Sequence, residues 1–319
     1  MLTLFAIPKP FRGHIGIIQR NAIKSWTFSH PQCEIILFGD DEGTAEVARE
    51  FGVRHISQVA RSKFGTPLLS DLFEKAQRLA SHRLLCYVNA DILLMSGLLE
   101  AVQVVCEWRN WFLMIGRRWD IAITELWDFS PRDWEERLRR YVLERGRLCG
   151  EHAIDYFAFP KGFYEHIPPF AIGRFSFDSW LIFKAISSGH PVVDATSALM
   201  IAHQNHDYAH LSIPDEQDLS WDKALKLEEF KLNYELLGGE TRRFGVGEAT
   251  HVLTEAGECK PKYFCWRLEI IKRRLRHELL TRTRPLRHRL GLRESNLRRL
   301  KTTLTQTFVS STWDDPRDG

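Results

Sequence analysis

The chain has no Gly-x-Gly-x-x-Gly behind its first apolar run, no Gly-x4-Gly-Lys-Ser/Thr and no Gly-x-Ser-x-Gly. Dinucleotide binding at a helix N-terminus, P-loop phosphate binding and a hydrolase nucleophile elbow therefore all lack their glycines. Cysteine is scarce, with six residues (33, 86, 106, 149, 259 and 265) and no Cys-x-x-Cys pair. This excludes a zinc-knuckle spacing and argues for reduced, mostly buried thiols over a disulfide frame. No apolar run approaches the roughly 18–20 residues of a membrane span. Residues 1–11 also lack a basic start followed by a long apolar core, so the expectation is a cytoplasmic protein.

What is present is the material of a globular α/β protein. A chain of 319 residues, 44% hydrophobic and 27% charged, fills one large or two modest domains. Its net charge of +3 conceals an asymmetry: residues 260–301 hold 15 Lys/Arg against 3 Asp/Glu, while residues 1–259 hold 28 against 35. The sign change marks a boundary in organisation. We expect a catalytic domain over 1–255, a basic helical extension over 256–301 and a disordered tail over 302–319.

Short apolar runs alternate with helical periodicity along the first part of the chain. Strands are expected at 2–7, 33–38, 53–56 and 84–94, with helices at 14–28, 44–51 and 68–80 between them. This order predicts a doubly wound, mostly parallel sheet with right-handed crossovers. The run Leu84-Leu85-Cys86-Tyr87-Val88-Asn89-Ala90-Asp91-Ile92-Leu93-Leu94 reads as the buried central strand. Because an unpaired buried carboxylate is costly, the strand should end near Val88 and turn out through Asn89-Ala90-Asp91 at the carboxyl edge, where such sheets bind ligands. Farther on we expect a helix over 96–108 capped by Ser96, a strand at 111–116 and an irregular aromatic stretch at 119–130. A charged helix at 132–147, placed as a surface insertion, precedes a strand at 153–159, a helix at 177–187 and a last strand at 192–202.

Acidic and imidazole side chains collect at the ends of these elements. Asp40 and Asp41 follow the second strand, Asp91 the central one, and Asp178 sits in the first turn of a helix behind Gly173-Arg174-Phe175-Ser176-Phe177. His203 and His206 follow the last strand. Carboxylate oxygen with imidazole nitrogen suits Mg or Mn bridging a diphosphate. Two readings of Asp178 stand, a helix cap and a general base, and one residue can be both. Arg174 has two as well: a pyrophosphate ligand, or the ion-pair partner of a nearby acid. His203 and His206 are three apart behind a strand, so an extended segment should turn only one of them toward a metal. His152 and Asp155 are candidates for the acceptor side.

Taken in order, these residues resemble the nucleotide-diphospho-sugar transferases of the GT-A fold. The likeness rests on a strand followed by a Pro-containing loop, an acidic loop after the second strand, an Asp-x-Asp-type motif after the fourth, a later helix-start acid and a terminal histidine. It covers residues 1–210. It implies a GT-A-like, Rossmann-like sheet flanked by helices and a glycosyltransferase that takes a nucleotide-diphospho-sugar donor and a divalent metal. Asp91 would hold the metal with His203 or His206. Asn89, at the first motif position, would contact ribose or a water on the metal. Asp40 or Asp41 would meet the base, with Pro8 to Phe11 as the wall beside it, and Asp178 would deprotonate the acceptor in a single, inverting displacement. Asn89 brings no charge where the motif usually has one.

Two other function classes share some of these residues. A nucleotidyltransferase would want a Gly-rich basic loop after the first strand, of which Lys9, Arg12 and Gly13 are a thin version. A catalytically inactive sugar-nucleotide-binding scaffold would explain Asn89. In the basic part, Leu268, Ile271, Leu275 and Leu279 lie on one face of an expected helix among Lys272, Arg273, Arg274 and Arg276. That pattern fits peripheral docking of 260–301 on an anionic membrane surface, or a helix packed on the catalytic domain. Nucleic acid is disfavoured by the sparse aromatic interleaving.

Overall fold

The computed structural model describes residues 1–206, 224, 227–238 and 243–262. The expected basic helix and the tail lie outside the described residues. Among the described residues, nine strands form one sheet in the order β13 (Cys259–Pro261), β12 (His251–Leu253), β10 (Val192–Asp194), β6 (Leu113–Ile115), β9 (Tyr156–Pro160), β4 (Leu84–Val88), β1 (Leu2–Ala6), β2 (Glu34–Phe38), β3 (Arg54–Ile56), and four more form a second sheet in the order β5 (Ile92–Leu94), β11 (Ile201–Gln204), β7 (Trp119–Ile121), β8 (Arg147–Leu148). The first half of the large sheet follows the sequence reading closely: β1 (Leu2–Ala6), α1 (Gly13–Ser29), β2 (Glu34–Phe38), α2 (Thr44–Glu50), β3 (Arg54–Ile56), α3 (Leu69–Leu79) and β4 (Leu84–Val88). β1 pairs in parallel with β2 and β4, and β2 with β3.

Alternation along these strands builds a core on each face. Leu84, Cys86 and Val88 of β4 join one apolar cluster with Leu2, Leu4 and Trp26. Leu85 and Tyr87 join the other with Phe5, Phe73 and Phe159. α3 seats Leu69, Leu72, Phe73 and Ala76 on that second face at spacings of three and four. β9 (Tyr156–Pro160), expected as a weak strand, is fully buried and runs antiparallel between β4 and β6 (Leu113–Ile115). Both of its faces are used, Tyr156 and Ala158 in the first cluster and Phe157 and Phe159 in the second.

Four expectations need correction. The run 192–202 is two strands in two sheets: β10 (Val192–Asp194) beside β6, and β11 (Ile201–Gln204) in the small sheet. Nor is it the end of the sheet, because β12 (His251–Leu253) and β13 (Cys259–Pro261) extend the large one beyond β10. The stretch expected to be irregular contains β7 (Trp119–Ile121), which pairs with β8 (Arg147–Leu148) and β11. The charged helix α5 (Trp134–Arg145) is no surface insertion, since Trp134, Leu138 and Val142 pack with Leu93, Ile121 and Ala202 in a third core. Finally, α4 (Leu98–Trp108) starts at Gly97, whose φ of 105° suits glycine, while Ser96 donates its hydroxyl to Glu135 at 2.5 Å.

The small sheet is latched from below by polar groups on α1. The Trp26 indole donates to the Ile92 carbonyl at 2.7 Å, Ser25 Oγ accepts from Leu94 N at 3.0 Å, and Asn21 Nδ2 donates to Gln204 Oε1 at 3.0 Å. Asn21 and Ser25 are buried, so the face of α1 toward β5 (Ile92–Leu94) is partly hydrogen-bonded rather than purely apolar. Among the described residues, no helix is long and apolar enough to cross a membrane.

Candidate active site

As expected from the cost of burying a bare carboxylate, β4 ends at Val88 and the chain turns through Asn89, Ala90 and Asp91, with Ile92 N bonded to Asn89 O at 3.1 Å. It then enters β5 of the small sheet. There the register lines up one row across four strands: Ile92 opposite His203, His203 opposite Asp120, and Asp120 opposite Arg147. Side chains at matched positions share a face, so pairing alone brings His203 beside Asp120 and one residue from Asp91.

The groups meet closely. His206 Nε2 lies 3.1 Å and His203 Nε2 3.8 Å from Asp91 Oδ2. One ligand atom from each of the three residues falls within 4.8 Å of the others. The expectation that only one histidine turns inward is corrected. β11 stops at Gln204, and Asn205 N then bonds to Ile121 O at 2.8 Å, which ends the alternation and returns His206 to the side of His203. Gln204 secures the arrangement by donating to the Asp91 carbonyl at 3.0 Å and to Ile18 O at 2.8 Å.

Burial opposes ionisation of Asp91, yet His203, His206 and Lys9 together outweigh it and hold the carboxyl well below the usual carboxylate range. Its other oxygen, Oδ1, is buried without a hydrogen-bond partner among the described residues. A buried carboxylate oxygen left bare beside two imidazole nitrogens is what a cation site requires, so these residues fit a divalent metal. Asp120 accepts at 3.1 Å from His203 Nδ1 and at 2.9 Å from Arg118 Nε. Burial works against the Asp120 anion too, but the His203 and Arg118 contacts prevail and keep it ionised.

The three metal-ligand candidates line a cleft of about 770 Å³ together with Pro8, Lys9, Asp41, Arg61, Asn89, Asp155, Arg174 and Asp178. The Pro8 loop is held on α1, where Gln19 accepts from Lys9 N at 2.7 Å and donates to Lys9 O at 2.8 Å. Arg61 bridges Asp40 at 2.7 Å and Asp41 at 2.9 Å. Of the two acids Asp41 faces the cleft, whereas Asp40 is mostly exposed and is kept below its ordinary range by Arg61. Asn89 donates its amide to Asp155 at 2.5 Å, and Arg118 contacts the other Asp155 oxygen at 2.7 Å. The Asn89 side chain is thus committed to a neighbouring carboxylate at its nitrogen, which leaves its oxygen as the group for a ligand.

The same cleft is lined by the start of α6 (Phe177–Ser187), which begins behind Ser176, a non-glycine with φ of 95°. Asp178 is half-buried in the first turn, and its Oδ1 accepts from Ser179 N at 2.8 Å. Burial, reinforced by Asp155, pushes this carboxyl up, partly offset by the Ser179 N–H and by His152. Arg174 reaches the cleft wall, but its Nε donates to Glu229 at 2.8 Å and its Nη2 to Thr66 at 3.3 Å. Glu229 belongs to α7 (Glu228–Leu237). Sequence reasoning missed Asp120, Arg118 and Arg61. An acid between two apolar residues in Trp119-Asp120-Ile121, directly after Arg117-Arg118, was the available signal for the first two.

No protein-family model matches the chain, and no curated protein does. Solved structures do overlap it. The S. aureus TarS 1–349 complex with UDP-GlcNAc overlaps 74% of this chain and 70% of its own, with 9% identity and a TM-score of 0.45. A candidate nucleotide-diphospho-sugar transferase from Desulfovibrio desulfuricans G20 overlaps 74% of this chain and 96% of its own, with 10% identity and a TM-score of 0.39. Against TarS 1–349 in another crystal structure the chain spans 38% of that chain's length, with 9% identity and a TM-score of 0.31. At these identities and TM-scores the overlaps carry no argument, and the chemistry rests on the chain's own residues.

Proposed function

We propose that this chain is a glycosyltransferase that moves a sugar from a nucleotide-diphosphate donor to an acceptor hydroxyl. One observation carries the reading: a half-buried Asp91, one oxygen of which is buried with no hydrogen-bond partner among the described residues, joins His203 and His206 in the cleft that Asp178 also lines. The three residues would hold Mn or Mg, which when bound neutralises the charge of the departing diphosphate. The loop of Pro8 and Lys9 and the Asp41–Arg61 pair line the same cleft, and in this reading they would receive the nucleotide.

Asp178 is the base in this scheme. Its Oδ1 is oriented by the Ser179 N–H, and Oδ2 takes the acceptor proton as the acceptor oxygen attacks the anomeric carbon. The bond from that carbon to the phosphate oxygen breaks, the electron pair leaves with the nucleoside diphosphate, and the anomeric configuration inverts. A carboxyl raised by burial is a stronger base than an exposed one, which suits the role.

The test is incubation of the full chain with a panel of nucleotide sugars and Mn, with the released nucleotide and the product anomer read by NMR. Release of a nucleoside diphosphate and an inverted product are expected. Pyrophosphate release would instead assign a nucleotidyltransferase, and a retained anomer would rule out the single displacement.

A further inference from the structure

Resting on the metal reading above, we infer that Asp120, braced by Arg118, is the positioning residue that aims His203 at the metal. Three observations support this. Asp120 is the β7 register partner of His203 and contacts its Nδ1 at 3.1 Å. With Nδ1 engaged by the Asp120 carboxylate, the ring presents Nε2 on the side of Asp91, 3.8 Å from its Oδ2. Asp120 itself is fixed from several sides: Arg118 Nε at 2.9 Å, Arg147 Nη2 at 3.9 Å, and the Cys149 side chain.

Arg118 extends the brace to a second carboxylate that lines the cleft. Its Nη1 is 2.7 Å from Asp155, which holds Asn89 and lies close enough to Asp178 to raise that carboxyl. One guanidinium therefore ties the carboxylate behind the metal ligand to the carboxylate behind the motif turn. Arg118 and Asp155 are nearly buried, at 12% and 7% side-chain exposure, so these ion pairs sit largely out of solvent, where geometry is held firmly and loss of one partner is felt. Outer partners of metal-ligating histidines typically change metal affinity by about 10–100-fold when removed. Asp120 has that relationship to His203, and the strand pairing specifies it.

The experiment titrates Mn into the full-length wild type, Asp120→Ala and Asp120→Asn by calorimetry, and records ¹⁵N NMR of the metal-free histidines. Asp120→Ala should lose about 10–100-fold in Mn affinity. Asp120→Asn, which keeps an acceptor but not the charge, should fall between Ala and wild type. The His203 tautomer should be Nδ1–H in wild type and shift toward Nε2–H in the Ala variant, a change that general loosening of the fold would not produce. If Asp120→Ala fails to fold, the Asn variant and the tautomer decide alone. Equal Mn affinity in all three proteins, or a wild-type Nε2–H tautomer, overturns the inference and leaves the metal reading standing. A wild type that takes up no Mn overturns the metal reading and the inference with it.

Discussion

In the large sheet, β4 and β9 are buried from end to end, and their side chains supply two apolar cores. In the small sheet the longest strand has four residues, and two of them are His203 and Gln204, both buried. Apolar area near 25 cal/mol per Å² accounts for the first. The second packs Leu93, Ile121 and Ala202 into the third core and adds hydrogen bonds with Asn21, Ser25 and Trp26, each worth about 1 kcal/mol when made and more when broken. The difference teaches a division of labour. The large sheet supplies stability and the small sheet supplies placement, so damage to each should be read by a different instrument.

The largest expected effect is on turnover. Asp178→Asn should lower kcat by about 10²–10⁴ with donor affinity nearly unchanged, because Asp178 is not one of the three metal-ligand candidates proposed to hold the diphosphate. The same change should raise stability at neutral pH. Burial raises the folded-state carboxyl, so its ionised form costs stability, and the cost disappears as pH falls through the ordinary carboxylate range near ~4. Asn keeps an acceptor for the Ser179 N–H. Chemical denaturation at pH 7 and pH 4 should therefore show an advantage at the higher pH that narrows at the lower. Unchanged turnover would make Asp178 a helix-start acid only.

How much of this was legible follows from the same division. The strands β1, β2 and β4 of the large sheet are apolar runs bounded by Pro, Gly and charge, so residues 1–88 could be read nearly element by element, whereas β12 and β13 of the same sheet are three residues each and carry no such run. The turn at Asn89 to Asp91 was legible because a buried bare carboxylate is costly. The small sheet was not, since Trp119-Asp120-Ile121 and Ile201-Ala202-His203-Gln204 are too short to show a period. Long-range pairing alone makes them strands. The buried polar residues of α1 were hidden for a related reason: Asn21 and Ser25 look like a solvated face until the carbonyls and amides they meet are in place. The Arg118 brace joins residues far apart in sequence and has no local signature.

Next in size is a pair that sharpens the contrast. Phe159→Ala empties a site where the ring stacks on Phe73 at a centroid distance of 5.5 Å, and should cost about 3–5 kcal/mol in urea denaturation. The protein that stays folded should bind Mn as wild type does. Gln204→Ala should cost less, about 1–3 kcal/mol, by orphaning buried partners on α1 and at Asp91. It should nonetheless weaken Mn binding. If the two variants affect Mn affinity alike, the division between the sheets fails.

The smallest effect concerns the start of α4. Ser96→Ala removes one exposed hydroxyl contact to Glu135 and should change thermal stability by less than about 1 kcal/mol. Gly97→Ala, forced to φ of 105°, should cost more than Ser96→Ala. The reverse order would restore Ser96 as the cap.

The central claim is that the small sheet assembles a cation site for a nucleoside diphosphate. Calorimetric titration of UDP and GDP into wild type and Asp91→Asn, each with Mn and with chelator, tests it most directly. The account predicts that one diphosphate binds wild type only with Mn, and that Asp91→Asn, which keeps the shape and removes the charge, loses this Mn-dependent binding while its unfolding transition remains cooperative. Diphosphate binding equally tight with chelator, or Mn-dependent binding retained in full by Asp91→Asn, would contradict it.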